Sequence, residues 1–214
     1  DAYEMQALAA TKLGIESYLV GVASTGVIGE IMNMEPVVKG VEMLNPNNAV
    51  ESGIDFAHAI LTTDTVMKNT AYATVIDGKE VLVAGTAKGS GMIEPNMATM
   101  LGFITTDANI ESDELQKALS EITNVTFNAI TVDGDTSTND TVVVMANGLA
   151  GNEPLTPAHP DWNNFYTALR LVAEDLAKAI ARDGEGATKL IEVEVDGAIS
   201  DEEARKIAKT VVGS

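Results

Sequence analysis

The 214-residue chain has no cysteine, only two histidines and a formal net charge of −19. Lack of cysteine excludes disulfides, thiol catalysis and thiolate metal sites and fits a reducing, cytoplasmic setting, while two distant histidines (His58 and His159) make a metal centre unexpected. The acidic balance excludes nucleic acid, which demands clustered Lys and Arg, and no run reaches the ~20 apolar residues of a membrane helix, so no membrane partner is expected and the chain is expected to be soluble.

Hydrophobic residues make up 45% of the sequence, ample for a sizeable core. No basic, apolar leader precedes the first residues, so the chain is expected to begin inside a domain. Asp1–Leu13 reads as a helix with Met5, Leu8 and Ala9 on one face. "SYLVGVAS", from Ser17, reads as a short apolar strand running into "TGVIG". Pro36 suits the first turn of a helix through Leu44, and Ala49–Leu61 gives another. From Ala71 a hairpin is expected: "AYATVI", the turn residues Asp77 and Gly78, then "EVLVAGTAK". Thr99–Thr106 reads as a further strand.

Ser112 is expected to cap a helix "DELQKALSEITNVTFNAI", and "TVVVMANG" reads as a strand or a buried helix. The proline-bearing "NGLAGNEPLTPAHPDW" reads as a subdomain boundary near residues 148–161 or as a long loop. An amphipathic helix follows over Trp162–Ala181, then a strand "KLIEVEVDG". A last helix opens at Ser200, with Glu203 completing a capping box. Helices and strands mix without strict βαβ alternation, which points to an α/β fold with mixed sheet layers and packed helices.

Four stretches are candidates for chemistry. Asp133-x-Asp135-x-Ser137 has the start of a calcium loop, but Thr138 stands at the sixth position and Val144 at the twelfth, which excludes calcium. What remains is a turn rich in small hydroxyls, structural or a site wall. "KGSGMIEPNMATMLGF", Lys88–Phe103, fits neither nucleotide phosphate-loop pattern, because Glu94 takes the place of the last glycine. "STGVIG", Ser24–Gly29, gathers free N–H groups and a hydroxyl, suited to an oxyanion or simply to a tight turn.

Thr99 is the fourth. Gly89, Ser90, Gly91, Pro95 and Asn96 build a bend that can hold strained backbone, and Ala98 puts only a methyl group beside the carbonyl preceding Thr99. A hydroxyl held there can attack that carbonyl, shift the acyl group from N to O, and leave Thr99 as a new N-terminus once water cleaves the ester. The freed α-amine, with a reference pKa of roughly 7.7–8.0, suits a base for the same hydroxyl.

At these residues the sequence resembles the ornithine acetyltransferases, the bifunctional glutamate N-acetyltransferase family of arginine biosynthesis. The resemblance is carried by "ASTGVIG" (Ala23–Gly29), "AILTTDT" (Ala59–Thr65), the Lys88–Phe103 stretch, "VDGDTSTNDTVVVMANG" (Val132–Gly148) and "DGEGATK" (Asp183–Lys189), in that order. It covers the middle of the family's length, and Glu94 departs from the small apolar residue expected just ahead of the junction.

The resemblance implies a self-cleaving, N-terminal-nucleophile-type transferase architecture, cut between Ala98 and Thr99. Residues 1–98 would belong to a first (alpha) subunit and 99–214 to a second (beta) subunit that starts at the nucleophile. Thr99 would carry the acetyl group, Thr25 and Gly26 would form the oxyanion hole, and Thr62 (in preference to Thr63), Lys88, Thr99 and Glu185 would bind substrate. The implied reaction moves acetyl from N-acetylornithine to glutamate without a cofactor, acetyl-CoA being an alternative donor. The implied assembly is two alpha with two beta chains. Two rivals stand beside it: a self-cleaving amidohydrolase or aminopeptidase with water as acceptor, and a non-catalytic acidic module.

Overall fold

The computed structural model describes residues 1–214 apart from Asn48, Glu94–Thr99 and Thr136. The chain divides into two compact units, Asp1–Asp55 and Phe56–Ser214.

In the first unit, α1 (Ala2–Leu13) stops at Gly14, whose φ of 68° is the left-handed geometry that closes a helix; the Ile15 N–H then returns to the Ala10 carbonyl at 3.1 Å. Asn33 caps α2 (Met34–Met43) by accepting from the Glu35 N–H, and the Lys12 ammonium donates to the Glu42 carbonyl, tying α1 to α2. Helix α3 (Val50–Ala59) begins in this unit and ends in the second. The strand expected over Ser17–Ser24 does not form. Ser17–Leu19 is a 3₁₀ turn and the following residues are irregular, because this unit offers no strand, among the described residues, for that apolar run to pair with.

The second unit is built on one mixed sheet: β1 (Lys68–Ile76), β2 (Lys79–Lys88), β3 (Leu101–Thr106) and β4 (Thr141–Ala146), side by side in chain order. The first two pairings are antiparallel, while β3 and β4 run parallel. Asp77 and Gly78, with φ of 51° and 72°, make the tight turn of the expected hairpin, whose twist suits the flanking strands. Helix α4 (Ser112–Val125) carries the chain from β3 toward β4, and α5 (Trp162–Arg182) packs on β1 and β2. The observed class is the expected one, α/β with a mixed sheet and packed helices.

Spacing explains the packing. Phe165, Leu169, Val172, Leu176 and Ile180 recur every three or four residues along α5, all at most 1% exposed. They meet Ile76, Val81, Val83 and Ile104 of the sheet and Leu115, Ala118 and Ile122 of α4 in one core. Asp175 adds a polar rivet, accepting from the Thr70 hydroxyl at 3.0 Å and the Tyr72 hydroxyl at 2.8 Å.

The proline-rich stretch is a loop inside this unit, sewn to the hairpin tip. His159 Nε2 lies 3.2 Å from Asp77 Oδ1, Asp161 Oδ2 accepts from the Asp77 N–H, and Asp77 Oδ2 accepts from the Glu153 N–H.

Other expectations fail locally. Ser112 is the first residue of α4, not its cap; Glu111 holds the cap position without a side-chain bond. That helix ends at Val125, because Thr126 leaves helical geometry and turns its hydroxyl to the Ile122 carbonyl; Phe127–Ala129 is a 3₁₀ turn. "KLIEVEVDG" is irregular. Its alternation suits a strand, but the sheet ends at β4 and no described strand lies beside it. Ser200 does cap α6 (Asp201–Val212), accepting from the Glu203 N–H at 3.2 Å while Glu203 reaches back to the Ile199 N–H.

A methyl group on Gly85 of β2 would stand 2.9 Å from both Leu176 Cδ1 and Val172 Cγ1 and 3.2 Å from Ile104 Cγ1. Gly85→Ala is therefore expected to lower stability by about 1–3 kcal/mol through overpacking, measured by urea unfolding of the variant against the parent.

Candidate functional site

Lys88 ends β2 and is 1% exposed, a rare position for a lysine. The chain then leaves the sheet through Gly89, whose φ is 152°; a β-carbon there would lie 3.2 Å from Ile93 Cδ1 and from Met100 Cβ. Met92 has φ of 58°, a left-handed conformation that costs a non-glycine residue of order 1 kcal/mol. The expected bend is present over Gly89–Met92, while Pro95 and Asn96 lie outside the described residues.

Asp133 holds that strain in place. Its carboxylate accepts from the Met92 N–H at 2.5 Å and the Ile93 N–H at 2.9 Å, while the Ile93 carbonyl accepts from the Val132 N–H at 2.6 Å. On the far side, the Met100 N–H donates to Asp140 Oδ1 at 2.6 Å and the Met100 carbonyl accepts from the Thr141 N–H at 3.1 Å. The hydroxyl-rich turn thus sends one carboxylate to each flank of residues 94–99. Ala98 and Thr99 themselves lie outside the described residues.

Beneath the bend is a buried charge cluster. The Lys68 ammonium, at the start of β1, sits 2.5 Å from Asp64 Oδ1 and 2.6 Å from Asp183 Oδ2; the Lys68 and Asp64 side chains are fully buried, and that of Asp183 nearly so. Asp64 also accepts from the Gly89 N–H at 2.7 Å and the Thr62 N–H at 3.2 Å. Asp183 accepts from both the N–H and the hydroxyl of Thr65. Burial alone would raise both carboxyls, but these hydrogen bonds and the Lys68 charge outweigh it and hold each below its usual range.

Of the expected substrate-binding residues, three come together around this cluster. Thr62 is exposed and anchored to Asp64 through its N–H. Glu185 is exposed; its N–H donates to the Ser90 carbonyl at 2.7 Å, and its carboxylate lies so close to Gly91 that a β-carbon there would collide with it. Lys88 immediately precedes that same bend. Burial pushes the Lys88 ammonium pKa down, partly opposed by Asp64 and Asp140. Burial raises the Asp140 carboxyl to about 6, against the Met100 N–H and the Lys88 charge. The Ser90 hydroxyl and Asp140 Oδ2 are buried without a hydrogen-bond partner among the described residues. Thr25 and Gly26 belong to the first unit, where both are exposed on an irregular segment.

Sequence reasoning missed Asp64, Lys68, Asp140 and Asp183. Asp64, Asp140 and Asp183 sit within the quoted motifs, and the available signal for Lys68 was a charged residue opening an apolar strand. Among the described residues one group of metal-ligand type assembles, Asp77, His159 and Asp161. Its polar atoms are engaged in the hairpin-tip hydrogen bonds, His159 Nδ1 included, which accepts from the Asp161 N–H at 3.0 Å.

Lys68→Met would leave two neighbouring carboxylates buried without their cation, a change that costs about 3–5 kcal/mol in comparable sites. Because Asp64 and Asp183 are held below the usual carboxylate range, their stabilisation is present above about pH 4 and is lost as pH falls through their lowered values. The variant's deficit in urea unfolding is accordingly expected to be larger at pH 7 than at pH 4, where protonation relieves the repulsion.

Across residues 1–214 the sequence matches the ArgJ family. It is 65% identical over 214 residues to the arginine biosynthesis bifunctional protein ArgJ of Geobacillus stearothermophilus, covering 100% of this chain and 52% of that protein. It is 64% identical, with the same shares covered, to that of Halalkalibacterium halodurans. The crystal structure of an arginine biosynthesis bifunctional protein ArgJ from Bacillus halodurans superposes with a TM-score of 0.54 at 74% identity, over 54% of this chain and 55% of that one. The chain spans about half the length of the curated relatives it matches. With a match over its whole length, the chain belongs to the ArgJ family.

Proposed function

We propose that this chain carries the reactive core of an acetyltransferase that moves an acetyl group from N-acetylornithine to glutamate, as a step of arginine biosynthesis in the cytoplasm. The observation that carries the reading is the grip of Asp133 and Asp140 on the two flanks of residues 94–99, with Lys88 and Glu185 beside the same bend. A junction held from both sides, with strain at Met92, suits an intramolecular attack at a fixed peptide bond.

In the proposed maturation the Thr99 hydroxyl attacks the Ala98 carbonyl. The C–N bond breaks as the ester forms, the nitrogen takes the proton, and water hydrolyses the ester to leave Ala98 with a carboxylate. In catalysis the Thr99 amine takes the hydroxyl proton while Oγ bonds to the acetyl carbon of N-acetylornithine. The Thr25 hydroxyl and Gly26 N–H stabilise the oxyanion, a contribution of about 3–4 kcal/mol for a well-placed donor. The proton passes to the departing ornithine amine as the C–N bond breaks. The glutamate amine then attacks the acetyl ester, forming N-acetylglutamate and returning the proton to Oγ.

Lys88 suits a substrate carboxylate, Glu185 suits the ornithine side-chain ammonium, and Thr62 adds a hydroxyl at the same rim. In a chain of net charge −19, buried Lys88 supplies local positive charge for anionic substrates. No cofactor is needed in this scheme. Acetyl-CoA is the alternative donor, and two alpha with two beta chains form the proposed assembly.

Intact-mass analysis of the whole protein is expected to give two fragments meeting at Ala98/Thr99, the second gaining one acetyl group from N-acetylornithine. Thr99→Val is expected to abolish both. Glutamate is expected to discharge the acetyl-enzyme at least tenfold faster than water; equal rates would favour a hydrolase, and an uncut parent that never labels would favour a non-catalytic module.

A further inference from the structure

Among the described residues, Asp140 is the carboxylate beside the junction that has one buried oxygen bonded and the other without a partner. Oδ1 accepts from the Met100 N–H at 2.6 Å, whereas Oδ2 is buried without a partner among the described residues. Asp133, its counterpart on the other flank, spends both oxygens on backbone N–H groups. A buried carboxylate oxygen left unpaired is costly, and hydrogen bonding to Met100 alone does not require an acid, since an asparagine would serve.

Covalent geometry narrows what the spare charge can act on. Met100 N is bonded to the carbonyl carbon of residue 99, so the α-nitrogen of that residue is within about 4 Å of Met100 N whatever its conformation. Asp140 Oδ1 is therefore within roughly 6–7 Å of the amine that cleavage would create. We propose that Asp140 is a positioning residue for the Thr99 nucleophile, fixing the Met100 amide through one oxygen and setting, through its negative charge, the proton affinity of the Thr99 amine. This rests on the acetyl-relay reading and extends it to a residue that does not touch the acetyl group.

The sign of the effect is fixed by the surrounding charges. An ionised Asp140 favours the ammonium form of the Thr99 amine and raises its pKa; Lys88, at the end of β2, favours the ionised form of Asp140. Asp64 and Lys68 bear on Lys88 in turn, and no other titratable group among the described residues bears noticeably on Asp140. With its carboxyl at about 6, Asp140 is ionised where an α-amine titrates. The charge of Asp140 is therefore expected to hold the proton affinity of that amine above that of a free peptide terminus.

The test uses the whole protein with Asp140→Asn, which keeps an oxygen for the Met100 N–H but removes the charge, and Asp140→Glu, which keeps the charge. Amine pKa is read from the pH dependence of reductive methylation at Thr99, alongside the pH profile of kcat/KM for acetyl transfer. In the Asn variant both the amine pKa and the acid limb are expected to move down by about one pH unit, with maturation within a few-fold of the parent; in the Glu variant both are expected to stay near the parental values. Should the Asn variant not fold, the Glu variant and the parent still decide. An amine pKa at or below the peptide reference value in both overturns the proposal, and a raised value in both supports it. Profiles that superpose for parent and Asn variant, with only thermal stability changed, overturn this inference and leave the relay standing. A parent with no free amine at residue 99 overturns the relay and the inference together.

Discussion

A lysine with no exposed side-chain surface, shared between two carboxylates, is the constraint on which the second unit's site depends. Asp64 and Asp183 come from segments 119 residues apart, and Lys68 is the only cation bonded to either among the described residues. Asp64 also accepts from the Gly89 and Thr62 N–H groups, and Asp183 from the N–H and the hydroxyl of Thr65. The ion triad therefore fixes where the bend leaves β2 and where the segment bearing Glu185 returns. Its value is geometric more than energetic, since buried ion pairs gain little net stability over well-packed apolar groups while being expensive to break.

Register adds a second consequence. Lys68 lies opposite Ala87 across the β1–β2 ladder, so Lys68 and Lys88 occupy the same open end of the hairpin. Both lysines are among the largest fully buried side chains of the described residues, in a chain that is otherwise strongly acidic. The low exposure of both groups limits screening of their charge by salt. Lys68 is matched there by Asp64 and Asp183, which leaves Lys88 as the lysine of this end outside the ion triad.

Much of this was legible from spacing alone. The β1–β2 hairpin was written in alternation broken by Asp77 and Gly78, and α5 in a three-four repeat of apolar residues; both are local rules with few alternatives. The bend at Gly89 was legible because only glycine tolerates that backbone. What spacing could not reveal was pairing at a distance. "SYLVGVAS" and "KLIEVEVDG" have the composition of strands, but a strand exists only when another lies beside it, and none does among the described residues. Likewise, Asp133 and Asp140 looked like parts of one polar turn. Nothing in their order says that they part company and hold opposite flanks of a segment forty residues earlier in the chain. Asp64, Asp140 and Asp183 were hidden for this reason: a carboxylate's role is set by which N–H it reaches through space.

Strand order carries one more implication. β3 begins two residues after the junction and is an interior strand, laddered to β2 on one side and β4 on the other. If the backbone were severed ahead of Met100, β2 would lie on one polypeptide and β3 and β4 on the other, yet six residue pairs of antiparallel ladder would still join them. The sheet would act as the weld across the break: the two pieces would keep a common interior, and parting them would require dismantling the sheet itself.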